Sequence, residues 1–138
     1  MMNRLGAALL FGLSVLGIAG CGSAIAMTPD STVPFAVGEI DVVAGDGANG
    51  NYTVRVEHLG DPGKLDASAT TYVVWIKPNK DDAKETNVGA LSVDSSQSGK
   101  LSFTTPFKEF EVTVTAEPAT DAAQPSGRVL LKAGVDVD

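Results

Sequence analysis

Phe110-Glu111-Val112-Thr113-Val114-Thr115-Ala116 alternates without a break. Phe110, Val112, Val114 and Ala116 fall on one side of an extended chain. Glu109, Glu111, Thr113, Thr115 and Glu117 fall on the other. A period of two sustained this long is the pattern of a half-buried strand, with the apolar set in the core and the polar set facing solvent. Pro118 has no N–H for a ladder and ends the run. Tyr52-Thr53-Val54-Arg55-Val56-Glu57 repeats the pattern, and Leu101 and Phe103 do so after the turn-forming stretch 95–99. Tyr72-Val73-Val74-Trp75-Ile76 is apolar on both faces, which predicts a central strand covered on both sides.

Val, Thr, Tyr and Phe recur in further short runs near 35–43, 88–93 and 128–135, separated by Gly, Asn, Asp, Ser and Pro. No amphipathic helix is legible after Cys21. The pattern predicts an all-β chain: a single antiparallel β-sandwich of about seven strands, immunoglobulin-like in size, over residues 34–138. Gly45-Asp46-Gly47-Ala48-Asn49-Gly50-Asn51 concentrates residues that tolerate positive φ and reads as a hairpin loop.

The N-terminus reads differently. Arg4 precedes an apolar run from Leu5 to Ile18, and Ile18-Ala19-Gly20-Cys21 closes it. A cation, a short apolar run and small residues at a cleavage point make a secretory signal. The run is shorter than the roughly 20 residues a spanning helix needs. Ending at the only cysteine of the chain, it resembles a bacterial lipoprotein signal peptide with its lipobox. The resemblance implies removal of residues 1–20 and lipid attachment at Cys21. The partner it implies is a membrane, in the cell envelope. Two or three acyl chains hold a protein stably where one is marginal. Gly22 is not the aspartate that retains such proteins at the inner membrane, so the periplasmic face of the outer membrane is favoured. Residues 21–33 (CGSAIAMTPDSTV) are small and polar and read as a flexible tether reaching roughly 20 Å, the alternative being that part of the stretch forms a first edge strand.

Removing residues 1–20 leaves 118 of the 138 residues, one domain's worth. The whole chain has 10 Lys+Arg and 17 Asp+Glu, a net charge of −7. Arg4 is the only charge in the signal, so the remainder carries −8. That balance argues against nucleic acid as a partner. A lone cysteine taken up by lipid leaves no thiol for disulfides, metals or catalysis.

From about Thr71 to Leu131 a series of short motifs recurs in order. Tyr72-Val73-Val74-Trp75 comes first, then Asn87-Val88-Gly89-Ala90-Leu91, then Gly99 in a hairpin. Val112-Thr113-Val114-Thr115-Ala116-Glu117-Pro118 follows, and last Gln124-Pro125-Ser126-Gly127 before Val129-Leu130-Leu131. This series resembles the extracytoplasmic C-terminal domain of anti-sigma-K factors and related envelope proteins. The resemblance implies a β-sandwich outside the cytoplasmic membrane. It does not imply control of a sigma factor, because those regulators carry a cytoplasmic zinc-associated domain and a spanning helix before this region.

Chemistry is sparse. His58 is the only histidine, and a catalytic role would need an adjacent nucleophile and an orienting acid. Asp46, Asn49 and Asn51 could offer oxygens to calcium, but their spacing is not that of an EF-hand loop, and a hairpin turn explains them. Asp81-Asp82 sits among Lys80, Lys84 and Glu85, the pattern of a solvated loop. Glu117 is expected to accept backbone N–H groups at its strand end or to pair with Lys77. Tyr72 and Trp75, three apart, face opposite sides of their strand. No catalytic residue, cofactor or metal site is expected. The expected function is a membrane-anchored, non-catalytic envelope lipoprotein that presents a β-sandwich to a protein partner or signal. The alternative is a module binding a small ligand or carbohydrate, which would need Tyr72 or Trp75 exposed on a sheet face.

Overall fold

The computed structural model describes residues 23–43 and 47–137. Residues 1–22, including Cys21 and the signal segment, lie outside the described residues, as does Asp46. Two antiparallel sheets pack face to face. The first holds β1 (Ser23–Ala26), β3 (Val37–Val43), β4 (Gly50–Glu57) and β7 (Gly99–Thr105), in the order β1-β3-β4-β7. The second holds β2 (Thr28–Pro29), β5 (Thr71–Pro78), β6 (Thr86–Leu91), β8 (Glu109–Glu117) and β9 (Val129–Asp136), in the order β2-β9-β8-β5-β6. A single helical turn, α1 (Pro62–Leu65), interrupts the β4–β5 connection. Asp61 caps it by accepting from Gly63 N–H, and Pro62 starts it where a missing N–H costs nothing.

The described residues form an all-β sandwich, with nine strands rather than about seven. The two additional strands come from the stretch expected to be a tether. Ser23–Ala26 pairs with β3, from Ser23 opposite Val42 to Ala26 opposite Glu39. Met27 then donates its N–H to Gly38, and Thr28–Pro29 crosses to pair with β9. Residues 23–29 therefore belong to the domain, which begins well before residue 34. Met27 is buried, and Ile25 packs against the core. Two apolar side chains at alternate positions anchor a segment that is otherwise small and polar.

The core lies between the sheets. Ile40, Tyr52, Val54 and Val56 come from one sheet, and Tyr72, Val74, Ile76, Val112, Val114 and Leu131 from the other. Tyr52 stacks on Phe103 at 5.4 Å between ring centroids, and Phe110 meets it edge-on at 5.2 Å. Edge-to-face contact of this kind adds about 1 kcal/mol beyond area burial. Tyr72 fills the core and its hydroxyl donates to the Gly60 carbonyl, which ties the β4–β5 connection down. Burial, with Asp61 nearby, pushes the Tyr72 hydroxyl up to about 12. The β5–β6 ladder slips by one residue after Val74, and Gly89 takes a φ of 143° at that bulge.

Candidate functional site

Glu109 and Glu111 of β8 face solvent, but its other polar side chains do not. Thr113 is 5 % exposed, and Thr115 and Glu117 are fully buried. They stand on the outer face of the five-stranded sheet, as the alternation requires, but around Thr115 and Glu117 that face is covered. The cover is the 118–128 connection between β8 and β9. It reaches across β5 to β6, where Asn87 Nδ2 donates to the Thr120 and Ala122 carbonyls at 3.0 Å each. It then returns to the end of β8. A Cβ at Gly127 would sit 2.1 Å from the Ala116 carbonyl oxygen, so only glycine permits this close return.

Trp75 lies beneath this cover, fully buried and on the opposite side of β5 from Tyr72. An indole N–H buried this deeply needs an acceptor. Trp75 Nε1 donates to Thr115 Oγ1 at 2.8 Å, and that hydroxyl donates to Glu117 Oε2 at 2.5 Å. Ser126 gives Glu117 both its hydroxyl, at 2.5 Å, and its N–H, at 3.0 Å, and Gly127 N–H donates at 3.1 Å. The carboxylate thus staples the cover to the sheet. Burial pushes the Glu117 carboxyl up; the hydrogen bonds from Ser126, Thr115 and Gly127 outweigh it and hold the group below its ordinary value. None of the ion pairs among the described residues involves it.

Backbone donors at the strand end, or Lys77, were the expected partners of Glu117; Ser126 and Gly127 N–H do donate to it, together with the Thr115 and Ser126 hydroxyls. Lys77 is not one of its partners. Antiparallel register sets Thr71 opposite Glu117 and Lys77 opposite Glu111. Six residues of strand, about 20 Å, separate the two levels.

Beside the covered area the same sheet face opens into a groove of about 290 Å³, lined by Asp30, Glu85, Glu111, Thr113, Leu130 and Lys132 among others. Asp30 pairs with Arg128 at 3.0 Å. Hydrogen bonds from Thr32 hold its carboxyl below the ordinary value, with Arg128 adding to the effect. Thr113 Oγ1 is buried and has no partner among the described residues. Leaving such a hydroxyl unpaired costs about 1–3 kcal/mol. Thr113→Val keeps the branched shape and removes the oxygen, so it is expected to raise stability by about 1 kcal/mol. The readout is a higher denaturant midpoint at unchanged slope. A lower midpoint would mean that the hydroxyl is satisfied in solution.

The other residues singled out by sequence do not converge. His58 is exposed just past β4, with a φ of 59°. Asn49 is exposed, and Asn51, on β4, accepts from Thr104 Oγ1 at 2.8 Å. Asp81 and Asp82 are exposed in the β5–β6 loop, far in sequence from Asn49 and Asn51. Among the described residues no group of three or more His, Cys, Asp or Glu side chains is placed to hold a metal ion. No helix among them is long and apolar enough to cross a membrane. No family model matches the chain, and no curated protein matches it either.

Proposed function

We propose that this chain is a membrane-anchored, non-catalytic lipoprotein of the bacterial cell envelope that presents its β-sandwich as an interaction or sensory module. The anchor rests on the sequence: Arg4, the short apolar run and the lipobox ending at Cys21. Gly22 favours the periplasmic face of the outer membrane. The resemblance of the second half to the anti-sigma-K extracytoplasmic domain supports an envelope role and carries nothing further.

One observation favours this reading over a carbohydrate-binding module. Tyr72 and Trp75 are both 0 % exposed. An aromatic platform for a sugar needs flat rings open to solvent, and these two are committed to the core and to the covered outer face. The non-catalytic part rests on the sequence, in which His58 is the only histidine and no nucleophile motif accompanies it. A small-ligand module keeps one observation in its favour, the unpaired Thr113 hydroxyl beside the groove.

The anchor is tested by intact-mass measurement of the mature protein from membranes. The expected mass is that of a chain starting at an acylated Cys21. Cys21→Ser is expected to abolish the lipid and to leave an uncleaved or soluble precursor. A mature N-terminus elsewhere, or an unmodified Cys21 thiol, overturns the reading.

A further inference from the structure

The first strand fixes where an anchor at Cys21 would pull. Ser23 already pairs with Val42, and the next three residues continue the ladder along β3. However Cys21 and Gly22 are arranged, two residue steps span at most about 7 Å. The register then says which end of the sandwich this is. Val42 and Val43 close β3, opposite Tyr52 and Asn51 at the start of β4. Gly50 faces Thr105 at the end of β7. Residues 106–108 join that end directly to Glu109 at the start of β8, which lies opposite Asp136. Pro78 pairs with Phe110, so the β5–β6 loop, 79–85, belongs to the same end. The other end holds the connections 30–36, 58–70 and 92–98; the 118–128 connection starts and finishes there but runs over the outer sheet face to Asn87, and its residues 123–125 lie beside Ala83, Lys84 and Glu85. The length of β8 sets the two ends roughly 25 Å apart.

We infer that the phospholipid bilayer is the surface against which the 79–85 and 106–108 loops rest, and that the 30–36, 58–70 and 92–98 loops point away from it. The inference rests on the lipid anchor proposed above. With a dozen flexible residues between lipid and domain, the sandwich would tumble. With two, it cannot turn over unless β1 peels from β3. Four of the nine cations outside the signal, Lys77, Lys80, Lys84 and Lys108, sit at the near end, on side chains long enough to reach headgroups. Asp81, Asp82, Glu85, Glu109 and Asp136 share that end, so chain length and not charge sets the orientation. The far end carries Phe35, 83 % exposed and the most open large apolar side chain among the described residues. A partner in the periplasm would meet that end first.

The test is paramagnetic broadening of backbone amide signals, with the lipidated protein in nanodiscs that contain a gadolinium-chelate headgroup lipid. Amides of Lys80 to Lys84 and of Phe107 and Lys108 are expected to lose several-fold more intensity than those of Phe35, Leu65 and Ser96. Equal broadening at both ends, or stronger broadening at Phe35, overturns the inference. Inserting about twelve Gly/Ser residues between Gly22 and Ser23 restores a reach of roughly 20 Å and is expected to erase the contrast. A contrast that survives the insertion overturns chain length as its cause. Intact mass of the same sample separates the two readings. If Cys21 is unmodified, the anchor proposal fails. The orientation is then measured on the full chain with the Cys21 thiol, the only one present, coupled to a maleimide-headgroup lipid.

Discussion

Val114→Asp is expected to leave little folded protein at room temperature. Val114 is fully buried on β8, the middle strand of the five-stranded sheet, between Val74 and Leu131 in the register. Removing the valine forfeits about 1.5–3 kcal/mol of apolar burial. The aspartate then brings a carboxyl into a place where the strand neighbours offer only methyl groups. Its charge is too costly to bury, so the group is driven to its neutral form, and even that form lacks partners. The sum exceeds about 4–5 kcal/mol, a large part of the 5–15 kcal/mol that holds an ordinary domain together. Glu111→Ala, three residues earlier on the exposed side of the same strand, is expected to stay within about 0.5 kcal/mol of the parent. Denaturant midpoints compare the two. Equal midpoints would mean that β8 presents its other face to the core.

The register of β8 was legible because its apolar positions alternate over seven residues. What happens on its far side was not, because alternation says which residues share a face and is silent on what covers that face. Thr113 and Thr115 were expected in water on account of their polarity, and Glu117 at a strand end with backbone donors or Lys77. Thr115 and Glu117 are buried because the 118–128 connection folds back over them. Two features of the sequence bear on this cover. Tyr72–Ile76 is apolar on both sides, so the outer face of β5 had to be covered, and a cover over one strand extends to its neighbour. Trp75 brings a donor into that covered space, and Thr115, directly across the β5–β8 register from Val73, lies one ladder step away. The N-terminal strands were missed for a different reason. Residues 23–29 hold only Ile25 and Met27 as large apolar side chains, too few for a periodic pattern. Their order comes from the waiting edges of β3 and β9, which are tertiary facts. The failure of Glu117 to meet Lys77 is also a matter of register, since sequence proximity to a strand end does not say which residues lie opposite.

The second large effect is expected at Glu117. Glu117→Ala leaves the Thr115 hydroxyl, the Ser126 hydroxyl and the Ser126 and Gly127 N–H groups without their acceptor. Each buried donor left unpaired costs about 1–3 kcal/mol. Part of this is recovered when the cover detaches and the donors reach water, at the expense of exposing Trp75. A net loss of about 3–5 kcal/mol is expected, with a red shift in Trp75 emission under native conditions. Emission and midpoint both unchanged would mean that the carboxylate does not hold the cover.

Glu117→Gln separates charge from shape. With its carbonyl in the place of Oε2, the amide still accepts from Gly127 and Ser126 N–H, and the Ser126 hydroxyl can turn to accept from the new NH₂. What is lost is the charge assistance, about 1–2 kcal/mol at neutral pH. The pH dependence then has a definite sign. The folded protein holds the Glu117 carboxyl below its ordinary value of 4.5. A depressed carboxyl favours the folded state when ionised, so its contribution is complete above 4.5 and is lost as the pH falls through the folded value. Asp30 and Asp66 are also held low, by Thr32 and Ser68 respectively, and the parent loses some acid stability through them as well. They are present in both proteins, so the difference between parent and Glu117→Gln isolates one carboxyl. That difference is expected to be constant from pH 7 to about 5 and to shrink below 4.5 towards zero. A gap that instead grows in the parent's favour as the pH falls from 7 towards 4.5, measured by urea midpoints, would mean that Glu117 is already protonated in the folded protein at neutral pH. The staple would then be a neutral acid, and the opposition between burial and the hydrogen bonds from Ser126, Thr115 and Gly127 would have gone the other way.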